Sequence, residues 1–108
     1  MSEAKLISFA AVRVLKAVAD GVPYGFDIMD ATGLPSGTVY PILGRLERQE
    51  LVRARWEAVS IARRDKRPPR RYYEISALGA KALARSIEHY RTLGGGVLAS
   101  PAGRFSRG

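Results

Sequence analysis

From Leu6 onward apolar side chains return every three or four positions. Ile7, Ala10, Ala11, Val14 and Val18 share one face, which predicts a first helix over residues 4–19. Phe9 lies off that face among Lys5, Arg13 and Lys16, either as a lone exposed aromatic or as part of a second, partner-facing surface. Asp20-Gly21-Val22-Pro23 breaks the pattern. A short second helix is expected over residues 24–32, with Phe26 and Met29 inward and Gly33 as its C-terminal cap. After the Leu34-Pro35 turn, Ser36 is placed to cap a third helix that carries Val39, Ile42, Leu43 and Leu46 as its apolar stripe and ends near Glu50. Two short helices joined by a glycine-containing turn form the helix-turn-helix outline.

At Leu51 the period changes to two. Val52, Ala54, Trp56 and Ala58 alternate with Arg53, Arg55 and Glu57, as in a half-buried strand, and residues 71–75 supply the returning strand. Trp56, Tyr72 and Tyr73 read as core and cross-strand pairs in preference to a base-stacking platform. Residues 59–70 between the strands read as a long basic hairpin tip, or wing. Ser76 caps a final helix to about Leu93, with Leu83, Ile87 and Tyr90 on one face and Lys81, Arg85, Glu88 and Arg91 largely on the other. The expected fold class is mostly α with a small β-hairpin (α+β), a winged helix-turn-helix in the order α-α-α-β-β-α. Residues 1–93 form its DNA-binding and dimerisation domain, and residues 94–108 are expected to be a flexible Gly/Ser/Arg tail.

Charge turns this outline towards a function. Eighteen Lys and Arg against ten Asp and Glu leave +8 on 108 residues, a field that draws polyanions. There is no cysteine, and His89 is the single histidine, so thiolate chemistry, a histidine metal cluster and a Ser-His-Asp arrangement all lack their parts. No catalytic residue, metal or cofactor is expected, and the chain is read as a non-enzyme. No stretch reaches the roughly 20 apolar residues of a spanning helix, so no membrane partner is expected, and the lack of cysteine fits a reducing cytoplasm.

An α-helix fits the major groove of duplex DNA, and the third helix offers Ser36, Gly37, Thr38, Tyr40, Pro41, Arg45 and Arg48 off its apolar stripe. Ser36 either caps the helix or helps it hold a phosphate, and Tyr40 either packs or contacts DNA; Gly37 and Gly44 admit a close approach. Pro41 deletes one helical hydrogen bond, which marks a shaped helix. In the wing, Arg63, Arg64, Lys66, Arg67 and Arg70 flank Pro68-Pro69 against the lone Asp65, and such a tip can lie along phosphates or enter a narrow minor groove.

Four runs in order resemble the PadR family of winged-helix regulators: Tyr24-Gly25-Phe26-Asp27-Ile28, Gly37-Thr38-Val39-Tyr40-Pro41-Ile42-Leu43 with Arg45-Leu46-Glu47, Arg67-Pro68-Pro69-Arg70-Arg71-Tyr72-Tyr73, and Ile75-Ser76 through Gly79. The resemblance spans about residues 6–90. It implies a cytoplasmic homodimer, usually a repressor, joined through its first and last helices at Phe9, Leu83, Ile87 and Tyr90 and reading a pseudo-palindrome, with a small hydrophobic or phenolic effector as a further partner. The chain departs from the family at Glu50, where a glycine is usual, in a longer and more basic segment 58–66, and in having a single helix after the wing. The alternatives to a sequence-specific double-stranded DNA-binding regulator are a winged-helix protein-interaction module and a nucleic-acid binder without sequence preference.

Overall fold

A computed structural model describes residues 6–94. Ser8 caps the first helix, α1 (Phe9–Ala19), by accepting the Ala11 N–H at 3.2 Å, so the helix begins at Phe9 and residues 6–8 lie outside it. Val12, Val14, Leu15 and Val18 on its inner face are almost fully buried, and each such side chain contributes about 1.5–3 kcal/mol. α1 is the central element: it packs on α2 (Gly25–Thr32), α3 (Ser36–Arg48), the strand β2 (Arg71–Ile75) and the last helix, α5 (Ala77–Gly94). β1 (Val52–Trp56) pairs antiparallel with β2 in a register that sets Val52 opposite Ile75 and Trp56 opposite Arg71. Tyr24 adds a single bridge to Tyr72 on the other edge of β2. The hairpin wraps one more element, the six-residue helix α4 (Val59–Arg64), where the sequence suggests a bare loop. The fold is therefore mostly helical with a two-stranded hairpin, as expected, and the described residues form five helices in place of four.

Two expectations change. Phe26 points outward and is 72% exposed; α2 buries Gly25, Ile28 and Thr32 instead, the face that packs on α1 and α3. Pro35 holds the N-cap position of α3 and Ser36 is its first residue, with no side-chain cap bond. The tail assigned to residues 94–108 lies, beyond Gly94, outside the described residues.

α1 and α3 end in the same geometry. After α1, Gly21 (φ 93) donates its N–H to Val18 O and Val22 to Ala17 O; after α3, Glu50 (φ 64) donates to Glu47 O and Leu51 to Leu46 O. Both are Schellman closures, which place their turning residue in the left-handed region that favours glycine. Glu50 adopts it against the cost of its Cβ. Glu50→Gly is therefore expected to stabilise the domain by about 1 kcal/mol, raising the urea midpoint with no change in the denaturant slope.

Candidate nucleic-acid interface

α3 buries Val39, Ile42, Leu43 and Leu46 and turns the opposite side to solvent. Down the middle of that outward side run Gly37, Pro41, Gly44 and Arg48, with Tyr40 along one flank and Arg45 along the other. Pro41 has no N–H, so the Gly37 carbonyl loses the helical donor one turn on, and Gly37 itself is exposed. The helix continues through Pro41 to Arg48, whose guanidinium lies near Gly44. Thr38 is half-buried at the first turn.

Tyr40 is both exposed and packed. It is 46% exposed, yet its ring lies where a Cβ on Gly25 would stand, 2.5 Å from Cε1. Next to Gly25, the Tyr24 ring meets Tyr72 edge-on at 6.3 Å, and the Arg70 guanidinium lies over Tyr24 at 4.1 Å. α3 is thus tied to the base of the wing through the start of α2. At the far end of α3, Glu47 accepts from Arg71 at 2.7 Å, and Arg71 also stands 5.7 Å from the Trp56 ring. Trp56 itself is 65% exposed, a correction to the core role its alternation suggests.

The wing is organised around Glu57, which alternation places outward and the structure buries. Arg67 grips both carboxylate oxygens, at 2.5 and 2.9 Å, and the Arg70 N–H donates to Oε1 at 3.2 Å. Hydrogen bonds from the Arg67 guanidinium hold the Glu57 carboxyl at about 2, well below the usual 4.5, against burial, which acts upward. The same pairing raises Arg67, so its charge persists at any working pH. A depressed carboxyl contributes stability that is complete above its unfolded value and vanishes as pH falls through the folded one. The thermal midpoint of the parent is therefore expected to drop between about pH 4.5 and 2 more steeply than that of Glu57→Gln, a difference readable by circular dichroism at a series of pH values.

Of the five wing cations, Arg67 is committed inward at 25% side-chain exposure, and Arg70 is shared with Tyr24. Arg63, Arg64 and Lys66 are exposed, Arg64 with a loose 3.6 Å contact to Asp65. Neither Glu57 nor Tyr24 is a candidate on sequence grounds; an acidic residue inside a strongly basic segment is the one signal that points to the first.

The residues expected at a partner interface cluster at the opposite end of α1. Phe9 meets Tyr90 edge-on at 5.6 Å, Tyr90 Oη donates to Ile7 O at 2.9 Å, and the Ile7 N–H reaches the fully buried Ser86 hydroxyl at 3.2 Å. Leu83, Ile87 and Tyr90 are half-buried against the core, while Leu6, Phe9 and Leu93 are exposed nearby. Among the described residues, no group of three or more His, Asp or Glu is placed to hold a metal ion, and no helix is long and apolar enough to cross a membrane.

Comparison with known proteins fits this geometry. A PadR-like transcription factor from Bacteroides fragilis superposes with a TM-score of 0.65 at 23% identity, over 82% of this chain and 86% of that one. A PadR family regulator from Eggerthella lenta gives 0.65 at 24%, over 82% and 78%, and one from Clostridium difficile 0.68 at 19%, over 89% and 100%. At these identities the likeness is one of fold. No curated protein matches the chain. The profile of the PadR-like transcriptional regulator family matches residues 14–85, across the helix-turn-helix, the wing and the first half of α5. This chain belongs to the PadR-like family of transcriptional regulators, which bind DNA.

Proposed function

We propose that the protein is a cytoplasmic, homodimeric repressor that reads a pseudo-palindromic operator in double-stranded DNA. The observation that carries this reading is the solvent-facing side of α3, free of core residues and coupled through Tyr40, Gly25 and Tyr24 to a basic wing. In it α3 enters the major groove, with Ser36, Gly37, Thr38, Tyr40 and Pro41 nearest the bases and Arg45 and Arg48 nearer the backbone. The dimer is supported by the exposed apolar side chains of Leu6, Phe9 and Leu93, with Phe9 against Tyr90 and with Leu83 and Ile87 half-buried on α5. Two copies joined there would present two α3 helices to half-sites about one helical turn, or roughly 34 Å, apart.

A small hydrophobic or phenolic effector belongs to the same reading, at the dimer interface or between domains; each protomer also carries open hollows of about 720 Å³ beside β1 and the start of α5 and about 350 Å³ beside Phe26. The hollow between Leu6–Ser8, α1 and α3 measures about 180 Å³, below the roughly 300 Å³ at which ligand pockets begin. A second reading, a winged-helix module that binds another protein, draws on Phe26, exposed beside Met29, Leu34 and Pro35.

Selection of bound fragments from a random duplex pool separates these readings. Enrichment of a two-fold symmetric motif, bound at least about a hundredfold more tightly than scrambled duplex, supports the repressor; specific sites typically exceed non-specific ones by about 10³ or more. Binding without enrichment leaves a nucleic-acid binder without sequence preference. No binding to any duplex at low salt hands the lead to the protein-interaction module. A monomeric mass at micromolar concentration would remove the dimer.

A further inference from the structure

The segment between β1 and β2 is folded in a way that limits how it can meet DNA. Val59–Arg64 coils into α4, with Ala62 1% exposed beneath it. Lys66 (φ 58) closes the helix in a third Schellman turn, its N–H on Arg63 O and that of Arg67 on Ala62 O. Glu57 then fastens the tip to the end of β1 through Arg67 and the Arg70 N–H. The result is a keyed, helical tip with Arg63, Arg64 and Lys66 on its exposed surface.

A helix with its side chains is about 10–12 Å across, whereas the minor groove of B-DNA is about 6 Å wide. A narrow hairpin can enter that groove; α4 is too wide. Resting on the DNA-binding reading above, we propose that α4 is a phosphate platform. It lies across the sugar-phosphate ridge with Arg63, Arg64 and Lys66 on phosphate oxygens, and it stays out of the minor groove. Glu57 and Arg67 are the positioning pair that holds it there. Phosphate contacts fix register and carry no sequence information. The wing therefore supplies affinity and salt dependence, and leaves discrimination to α3.

The test uses the full chain, an operator duplex recovered by selection, a scrambled duplex of equal length, and the minor-groove ligand netropsin. The R63A/R64A/K66A variant is expected to lose affinity for both duplexes by a common factor, at least about tenfold at physiological salt. Its log-log salt slope should be shallower by up to about 2.7, at about 0.9 per phosphate contact. The ratio between the duplexes should stay within about twofold, and netropsin should leave the difference between parent and variant unchanged. Glu57→Gln, with Arg67→Ala as a second variant, should lose the same factor, and combining either with the triple change should cost nothing more.

A tenfold change in the ratio, or netropsin abolishing the wing's contribution, overturns the platform in favour of groove insertion. An unchanged affinity and slope shows that the wing does not touch DNA. Additive losses overturn the positioning role of Glu57. Failure of the parent itself to bind either duplex is a different result, which removes the DNA reading and the platform with it.

Discussion

Gly79→Ala is expected to destabilise the domain by about 4 kcal/mol or more, enough to leave much of it unfolded at 37 °C. A Cβ at Gly79 would stand 2.0 Å from the Leu51 carbonyl oxygen and 2.9 Å from Ile75 Cγ1. That oxygen has no room to yield. It accepts from the Ser76 N–H at 3.0 Å, the Ser76 hydroxyl donates to the adjoining Glu50 carbonyl at 2.7 Å, and the Leu51 N–H closes α3 on Leu46 O at 2.9 Å. The Ser76 hydroxyl in turn accepts the Gly79 N–H at 2.9 Å, so α5 starts where α3 and β1 meet. An extra methyl must push α5 off this clasp and with it the buried Ala82 and Ser86. Gly44→Ala is the control: its new Cβ meets only the end of the Arg48 side chain, at 3.5 Å, and helix propensity favours alanine by about 1 kcal/mol. Denaturant midpoints of the two variants should move in opposite directions; parent-like stability of Gly79→Ala would show that the clasp is looser than drawn.

What could be read in the sequence, and what could not, follows from the range of the forces involved. The spacing of Val14, Val18, Val39, Leu43 and Leu46 fixes core faces because burial along a helix repeats locally, and these residues are buried as expected. Ser76 behaves as the cap its position suggests. The absence of glycine at position 50 reads as a departure, and the backbone there still takes the left-handed form. At Trp56 and Glu57 alternation misleads in both directions. The core that backs β1 at Val52 has run out by Trp56, so the inward-pointing ring meets solvent. On the next residue the wing, through Arg67, closes over the carboxylate that should have faced water. Arg67 lies ten positions from Glu57, so local periodicity carries no trace of the pairing. Counting five wing cations as equivalent likewise overlooks that one is consumed in the fold.

Gly25→Ala is expected to weaken operator binding by about tenfold while costing about 1–3 kcal/mol of stability, the usual range for overpacking. Its Cβ would fall 2.5–2.7 Å from Cε1, Oη and Cζ of Tyr40. Unlike the Leu51 carbonyl, these atoms end a side chain that is 46% exposed, so the ring can swing into solvent and the fold survives. The displaced ring can no longer sit on the flank of α3 proposed to face DNA. Tyr40→Phe separates packing from contact, because it keeps the ring on Gly25 and removes only the hydroxyl. If both variants bind operator about tenfold more weakly, and Tyr40→Phe keeps parental stability, the hydroxyl touches DNA; a hydrogen bond across the interface of about 1–2 kcal/mol accounts for a loss of that size. If Tyr40→Phe binds as the parent does and Gly25→Ala does not, the ring face is what DNA meets. Parental affinity in both, measured at a temperature where both are folded, would reduce Tyr40 to a spacer between α2 and α3 and move the base contacts to Thr38 and the open backbone at Gly37.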